Sequence, residues 1–260
     1  MSSSTPPSEI LILTEEIDTL EGGNGGDTFA LQNNSDQLEI LLFNPPTTAA
    51  GTSQDNELLG TMTNDAIYGR RGDDTLSSFQ GNDFVDGETG DDLIFAGQGD
   101  DGLVGDSGND TMFGDRGADT LYGNNDADVL FGNAEADVLY GDAGNDSLYG
   151  GQGNDTLVGG SDSDFLSGDR GDDFLTGISR PNLGYTWIVD FNRNEDTLLL
   201  PGSAGLYELI STSELNSTLT NFPSGIAIIA VDELDRSRQL IAIIEGVSNF
   251  DLTDSYVEFI

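Results

Sequence analysis

The sequence predicts an all-β protein, a stack of short repeats that is closed at its C-terminal end by a β-rich cap. Residues 51–176 fall into fourteen consecutive nine-residue blocks without insertion or deletion. The first residue of a block is Gly in twelve blocks, the sixth is Asp in thirteen, and the eighth is aliphatic or Met in all fourteen. After residue 177 short apolar runs replace the repeat. A fixed short period of this kind is typical of a solenoid, in which each repeat is one structural unit.

Each block divides into a turn and a short strand. In the copy at 150–158, Gly-Gly-Gln-Gly-Asn-Asp-Thr-Leu-Val, glycine occupies the first, second and fourth positions. Glycine at these three positions permits positive φ, so we expect the first six residues to form a sharp turn. The last three residues are extended, and the middle one faces away from its neighbours. One apolar residue per block buries little alone, so we expect stacked blocks, with strands about 4.8 Å apart, to form the core.

Two columns of the repeat carry the predicted core and the predicted chemistry. The eighth-position core residues are Leu58, Ile67, Leu76, Val85, Ile94, Leu103, Met112, Leu121, Leu130, Leu139, Leu148, Leu157, Leu166 and Leu175. The sixth-position carboxylates are Asp65, Asp74, Asp83, Asp92, Asp101, Asp110, Asp119, Asp128, Asp137, Asp146, Asp155, Asp164 and Asp173. A solvated acidic face would not explain why glycine recurs two and five residues before each Asp. The carboxylates are therefore interpreted as cation ligands.

This nonapeptide resembles the repeat of the repeats-in-toxin (RTX) family of secreted bacterial proteins. The resemblance implies a right-handed parallel β-roll, in which turns alternate between two sides and Ca²⁺ lies between turns i and i+2. It also implies that the ligands are the sixth-position Asp side chains and backbone carbonyl groups of the turns. Applied to this sequence, it assigns calcium to the thirteen Asp residues above and to Asp27, with up to about twelve ions in the main array.

Several blocks depart from the repeat. Asp126, Glu135 and Asp162 replace glycine at the fourth position. Because Glu tolerates left-handed geometry poorly and Asp only moderately, we expect weaker turns near Asp126 and Glu135. Asn56 takes the Asp place of the first block without its charge, so a weak or empty gap is expected there.

Composition limits the classes of partner. The formal net charge is −40, and the eight basic residues are all Arg, so no basic patch is available for nucleic acid. The absence of Cys and His excludes thiolate chemistry and an ordinary zinc site. Oxygen ligands suit a hard cation, and many flexible carboxylates and carbonyls favour Ca²⁺ over Mg²⁺. Charge this high would by itself suggest disorder, so a cation must neutralise the carboxylates before the chain compacts.

The sequence divides into five segments. Residues 1–12 are interpreted as a disordered tail and 13–39 as outlying repeat turns, including a full copy at 22–30. Residues 40–50 form an excursion, in which Pro45-Pro46 disfavours a regular central strand. Residues 51–177 are the β-roll and 178–260 the C-terminal cap. The N-terminus lacks the features of a secretory signal, and no 18-residue apolar run predicts a membrane span.

The cap region contains four predicted strands, at 185–191, 196–200, 225–231 and 239–245, and a candidate short helix at 208–219. Residues 190–198 resemble a segment that often follows RTX arrays, which implies a β cap over the open end of the roll. Residues 254–260 join acidic to apolar side chains, and they resemble the uncleaved C-terminal signals read by type I secretion machinery.

Other chemistries receive weaker support. A G-x-G-x-x-G match at 97–102 follows from the nine-residue period and has acids where a phosphate would bind. Paired carboxylates such as Asp73-Asp74 could serve glycoside chemistry, but they are interpreted as calcium-site residues. Trp187 is interpreted as part of the core of the cap. The mixed third position, with Met62 and Arg71, disfavours an ice-binding face.

The favoured function is a secreted, extracellular, non-enzymatic calcium-binding β-roll protein that folds when it meets calcium outside the cell. Two alternatives remain open. The chain could be an accessory or structural and adhesive module of the extracellular matrix or cell surface, with a polysaccharide or surface partner. It could instead be a small enzyme that acts on polysaccharide.

Overall fold

The computed structural model describes residues 10–13, 28–31, 48–177, 185–200, 204–212, 224–231, 238–248, 250–253 and 255–259. These residues form two β-sheets, and the predicted all-β parallel β-roll of nonapeptide repeats is confirmed. No helix in these ranges is long and apolar enough to cross a membrane.

The strands follow one another in the order β1 (Ile10–Leu13), β2 (Thr28–Leu31), β3 (Thr48–Ala50), β4 (Glu57–Leu59), β5 (Ala66–Arg71), β6 (Thr75–Gln80), β7 (Phe84–Thr89), β8 (Leu93–Gln98), β9 (Gly102–Ser107), β10 (Thr111–Arg116), β11 (Thr120–Asn125), β12 (Val129–Ala134), β13 (Val138–Ala143), β14 (Ser147–Gln152), β15 (Thr156–Ser161), β16 (Phe165–Arg170), β17 (Phe174–Thr176), β18 (Thr186–Val189), β19 (Thr197–Leu200), β20 (Tyr207–Ser211), β21 (Gly225–Val231), β22 (Arg238–Glu245) and β23 (Val257–Phe259). A 3₁₀ turn at Ala204–Leu206 precedes β20.

Successive repeats alternate between the two sheets. The first sheet has the order β1-β2-β3-β5-β7-β9-β11-β13-β15-β17-β19-β23, and the second has the order β20-β21-β22-β18-β16-β14-β12-β10-β8-β6-β4. Within the roll, paired strands are parallel and equivalent residues are 18 positions apart, as in Met112 opposite Leu130. One coil therefore contains two repeats, so each turn is stacked on the turn two blocks earlier.

The core is a ladder of one residue per repeat. Every eighth-position residue, from Leu58 to Leu175, is 0% exposed. The glycine at the first position also faces inward, while the seventh and ninth positions lie on the outer faces of the sheets. Burying one Leu stabilises the fold by about 1.5–3 kcal/mol, so the stack depends on the summed contributions of many coils.

The turn backbone differs in one respect from the sequence prediction. From Arg70 onward, the second and fourth positions of the turns have positive φ, but the first position does not. At the fourth position a side chain is also disfavoured sterically, because a Cβ on Gly90 would overlap the carbonyl oxygen of Gly72 in the coil before it. The first-position glycine is favoured for another reason, since a Cβ on Gly69 would lie 2.6 Å from Oδ2 of Asp74, although Ser78 and Ala96 are accommodated at this position.

The turns near Asp126 and Glu135 keep positive φ but not the φ of the glycine turns. These two residues adopt φ of 76° and 75°, whereas the fourth-position glycines have φ between 106° and 157°, so the backbone of these turns is altered and their weakness stays a prediction. The strands on either side keep their full length of six residues and their 18-residue register. The N-terminal turns differ more, because positive φ within 48–177 begins only at Arg70.

The N-terminal strands extend the first sheet. Ile10–Leu13 is a strand, which corrects the prediction of a disordered tail for residues 10–12: an apolar, β-branched run here pairs in parallel with β2. Strand β3 lies within the predicted excursion, directly after the two prolines, and pairs on both sides, with β2 and β5. The rest of the outlying-repeat and excursion segments falls largely outside the described residues.

The cap continues both sheets of the roll. The four predicted strands appear as β18, β19, β21 and β22, with small shifts of their bounds. Strand β18 pairs in parallel with β16, and β19 with β17. The predicted helix at 208–219 is not present at its start, because residues 208–211 belong to β20 and pair antiparallel with β21. Residues 213–219 lie outside the described part of the chain.

Candidate metal sites

The sixth-position carboxylates are buried. All thirteen, from Asp65 to Asp173, are at most 5% exposed. They are placed there by the backbone, since each follows the sharp turn directly and precedes an inward-facing core residue by two positions. Burying a charged group without compensation is costly, so each carboxylate needs partners.

One oxygen of every carboxylate from Asp74 to Asp173 has such a partner. The Oδ1 atom accepts a hydrogen bond from the backbone N–H of the residue 18 positions earlier, as when Asp110 donates to Asp128 at 2.8 Å. The same bond recurs along both sides of the roll, from Asn56 donating to Asp74 at 2.6 Å to Asp155 donating to Asp173 at 2.8 Å. The carboxylates therefore form two continuous rows, one per side.

The other oxygen has none. In twelve of these residues Oδ2 is buried and has no hydrogen-bond partner among the described residues: Asp74, Asp83, Asp92, Asp101, Asp110, Asp119, Asp128, Asp137, Asp146, Asp155, Asp164 and Asp173. Because each unpaired oxygen carries part of a negative charge, it is an unsatisfied acceptor of the most costly kind.

The environment raises the pKa of all twelve carboxyl groups. Burial is the largest cause, and it outweighs the opposing effect of the backbone hydrogen bond to Oδ1. Neighbouring carboxylates in the same row add a further increase, as Asp137 and Asp101 do for Asp119. The pKa rises to about 8 for Asp119 and Asp128 and to about 6 for Asp101 and Asp110. The metal-free roll therefore strongly disfavours the ionised form of these groups.

Protein groups satisfy the carboxylates at the two ends of one row. At its N-terminal end, Oδ2 of Asp65 accepts hydrogen bonds from the backbone N–H of Thr61 at 2.5 Å and from its hydroxyl at 2.9 Å. At its C-terminal end, Asp196 extends the row: its Oδ1 accepts from the N–H of Asp173 at 3.2 Å, and its Oδ2 accepts from the N–H of Asn192 at 2.7 Å. In the other row the end carboxylates, Asp74 and Asp164, both keep an Oδ2 without a partner among the described residues.

The donor set fits Ca²⁺. Within the residues that the structure describes, no three carboxylates converge on one point, so each turn supplies a single buried carboxylate. Backbone carbonyl groups of the turns, which are neutral and hard, are available as further ligands. Buried, unpaired carboxylate oxygens in oxygen-only surroundings match the preference of Ca²⁺, with its six to eight oxygen ligands, and do not match that of Zn²⁺.

The remaining candidates take structural places. In the Asp73-Asp74 pair, Asp73 is exposed, and its Oδ1 accepts from the N–H of Asp91 at 3.0 Å in a separate outer ladder. Trp187 packs edge-on against Phe165, with ring centroids 5.9 Å apart, where the roll meets the cap. It is 36% exposed, which corrects its predicted place in the core of the cap. Asp27 lies outside the described residues.

Comparison with known proteins agrees with this geometry. The family model described as "RTX calcium-binding nonapeptide repeat (4 copies)" matches residues 8–38 and, in overlapping hits, all of 48–177. The solution structure of the AlgE6R3 subunit from the Azotobacter vinelandii mannuronan C5-epimerase is similar over 51% of this chain and 82% of its own. Its sequence identity is 22% and its TM-score 0.35. No curated protein matches the chain.

Proposed function

The chain belongs to the RTX calcium-binding nonapeptide repeat family, and from this we propose that its function is to fold into a rigid roll when calcium fills its two rows of buried carboxylates. The observation that carries the proposal is the set of twelve buried, unpartnered Oδ2 atoms, one in each turn from Asp74 to Asp173. Calcium, when bound, supplies the positive charge that these oxygens lack.

The proposed ligands are the twelve residues with an unpartnered Oδ2, together with backbone carbonyl groups of the turns. One ion per unpartnered oxygen gives about twelve ions, the number that the six gaps on each side of the array also allow. Asp65 and Asp27 complete the proposed ligand set. Asp65 contributes less to calcium binding than the twelve residues do, because Thr61 already satisfies its Oδ2.

Calcium dependence follows from charge. Without a cation, folding brings twelve carboxylates out of water and into rows, where burial raises their pKa and row neighbours raise it further in residues such as Asp119 and Asp128. Binding that occurs only in the folded state contributes its free energy to folding. Since each coil contacts only the coils beside it, filling one turn orders the backbone of the next, and the transition is cooperative in calcium.

This dependence suits a protein that is exported before it folds. Intracellular calcium is too scarce to fill weak sites, whereas extracellular modules bind it at about 10⁻⁴–10⁻³ M. We therefore assign the chain to the secreted, type I exported class, with the acidic and apolar residues 254–260 as the export signal. We also propose a non-enzymatic role, in which the buried carboxylates, one per turn, act as calcium ligands.

Circular dichroism and ion counting test the proposal together. Chelator-treated protein at pH 7.5 is expected to give a mostly coil spectrum, and added millimolar CaCl₂ is expected to produce β structure with a sigmoidal midpoint. Equilibrium dialysis should then yield about twelve ions per chain. A β-roll spectrum that persists in metal-free buffer at pH 7.5 would show that the cation is not required for folding.

A further inference from the structure

The outer side of the second sheet carries a groove that none of the twelve buried carboxylates lines. The groove has a volume of about 890 Å³ and runs from Gly60 to Gln152. It crosses six stacked turns of the same side, so at about 4.8 Å per strand it is roughly 24 Å long and parallel to the roll axis. Its shape suits an extended chain rather than a compact small molecule.

The groove is nearly free of charge in a chain of formal charge −40. Its lining contains one acid, Asp115, and one base, Arg116. Apolar contact comes from Met62, Phe79 and Phe95. In contrast, the matching turn positions of the first sheet carry Arg70, Arg71, Glu88, Asp106 and Asp142.

Three planar amides lie along the groove, two in adjacent turns of this side and the third three turns further on. Gln80, Gln98 and Gln152 occupy the third position of their turns and are exposed. A carboxamide both donates and accepts hydrogen bonds, and so does a hydroxyl group. Stacking therefore sets hydrogen-bonding groups along one wall of the groove, at intervals of one or more strand spacings.

Phe79 is held in an unfavourable conformation without burial of its ring. It occupies a second position with φ of 73°, where the later turns of this side have Gly, Asp or Asn. A bulky side chain with positive φ is a true outlier that costs about 1–3 kcal/mol, and such strain clusters at ligand sites. The residue is nevertheless 46% exposed. Every turn from Arg70 onward has positive φ at this position, so the turn itself imposes the conformation. Phe79, in the second of the six turns, differs from its neighbours in leaving a large apolar ring exposed in the groove.

We propose that this groove binds an extended, uncharged polysaccharide, with Phe79 as its apolar contact and the glutamine row as its hydrogen-bonding wall. A peptide strand would need free backbone groups, which a sheet offers at its edge and not on its face. A polyanion is repelled by the field of the whole chain. The groove forms only when the roll is folded, so this inference rests on the calcium-dependent folding proposed above.

Native affinity electrophoresis in calcium-containing gels tests the groove, with dextran and hydroxyethylcellulose as uncharged polymers and alginate as a polyanion. The wild-type chain is expected to be retarded by an uncharged polymer and not by alginate. Phe79→Gly should weaken retardation at least tenfold while its thermal midpoint stays equal or rises, because the strain is relieved. Gln98→Ala should weaken it several-fold. The matched control is Phe84→Ala, since Phe84 is 39% exposed on the first sheet, and it should bind as wild type does.

Three outcomes would overturn the groove assignment: no retardation of the wild type by either uncharged polymer, retardation by alginate alone, or equal binding by wild type and Phe79→Gly. A lower thermal midpoint for Phe79→Gly would assign the ring a packing role instead. Size-exclusion chromatography that showed a dimer abolished by this substitution would identify a second copy as the occupant. A chain that acquires no β structure in calcium contradicts the folding proposal, whereas a folded chain that does not bind contradicts only the groove.

Discussion

Acid should substitute for calcium in folding the roll. The pKa values of the twelve buried carboxyl groups rise from 3.8 to between about 6 and about 8 in the metal-free fold. A group whose pKa is higher in the folded state stabilises the fold fully below its unfolded pKa, and it loses that contribution as pH rises through the folded value. The metal-free roll should therefore gain stability as pH falls from 8 towards 5.

The magnitude follows from the pKa of each carboxyl group. For Asp119, with a pKa of about 8 against 3.8, folding at pH 7.5 costs about 5 kcal/mol at 1.36 kcal/mol per pKa unit. Allowing for solvent screening reduces this to about 2 kcal/mol. At pH 5 the same group costs less than about 1 kcal/mol. Twelve groups together regain on the order of 10 kcal/mol, which is comparable with the whole stability of a domain.

The measurement is far-UV circular dichroism of dialysed, metal-free protein at dilute concentration between pH 8 and pH 5. This range stays above the sequence pI of about 4.1, because the chain would precipitate near its pI. β structure should appear as pH falls and vanish when the pH is raised again. Saturating calcium should remove most of this dependence, because the ions then hold the carboxylates ionised. A metal-free spectrum that stays the same from pH 8 to pH 5 would refute the account of the buried rows.

Two further predictions use matched pairs of substitutions. Asp92→Asn removes the charge of a buried, unpartnered carboxylate and should lower the ion count from equilibrium dialysis by at least one per chain. Asp91→Asn makes an equal change of charge at an exposed site and should leave that count unchanged. Gly90→Ala should lower the unfolding free energy in calcium by more than about 2 kcal/mol, because the residue has φ of 135° and its Cβ would overlap a carbonyl oxygen. Gly105→Ala should cost less, since Ala96 already occupies the same first position, and equal thermal midpoints for the two variants would contradict this steric argument.

The repeat made most of the roll predictable because its two constraints are local and periodic. The core residue at the eighth position of each block and the Asp at the sixth can be read directly from the sequence, and the structure buries both. The 18-residue register follows once each coil holds two repeats. The cap strands could be recognised from apolar runs, but the helix at 208–219 could not be excluded, because its residues pair with β21, which is distant in sequence.

The details that escaped prediction depend on contacts between coils. The sequence pattern marks the first-position glycine but not its reason, which is the close approach of the Asp carboxylate and not positive φ. Asp126 and Glu135 keep positive φ, at 76° and 75°, because stacking on both sides imposes it. Thr61 gives no sequence signal as a partner of Asp65, since its role depends on the turn conformation. The groove was missed because it combines residues from six turns.

The cap should hold structure that does not depend on calcium. In the described residues of the cap no carboxylate oxygen is buried without a partner, whereas the roll has twelve. The cap also has an ordinary core: Ile228, Ile243 and Ile244 are at most 1% exposed, and the rings of Phe250 and Tyr256 lie 5.0 Å apart. Hydrogen exchange of metal-free protein at pH 7.5 should therefore show protection in β21 and β22 and none in β5–β17. Calcium should then extend protection into the roll. The coils next to β18 and β19 should gain protection first, because a solenoid grows by adding coils to an ordered neighbour. Equal exchange rates in cap and roll without calcium would contradict a cap that templates the roll.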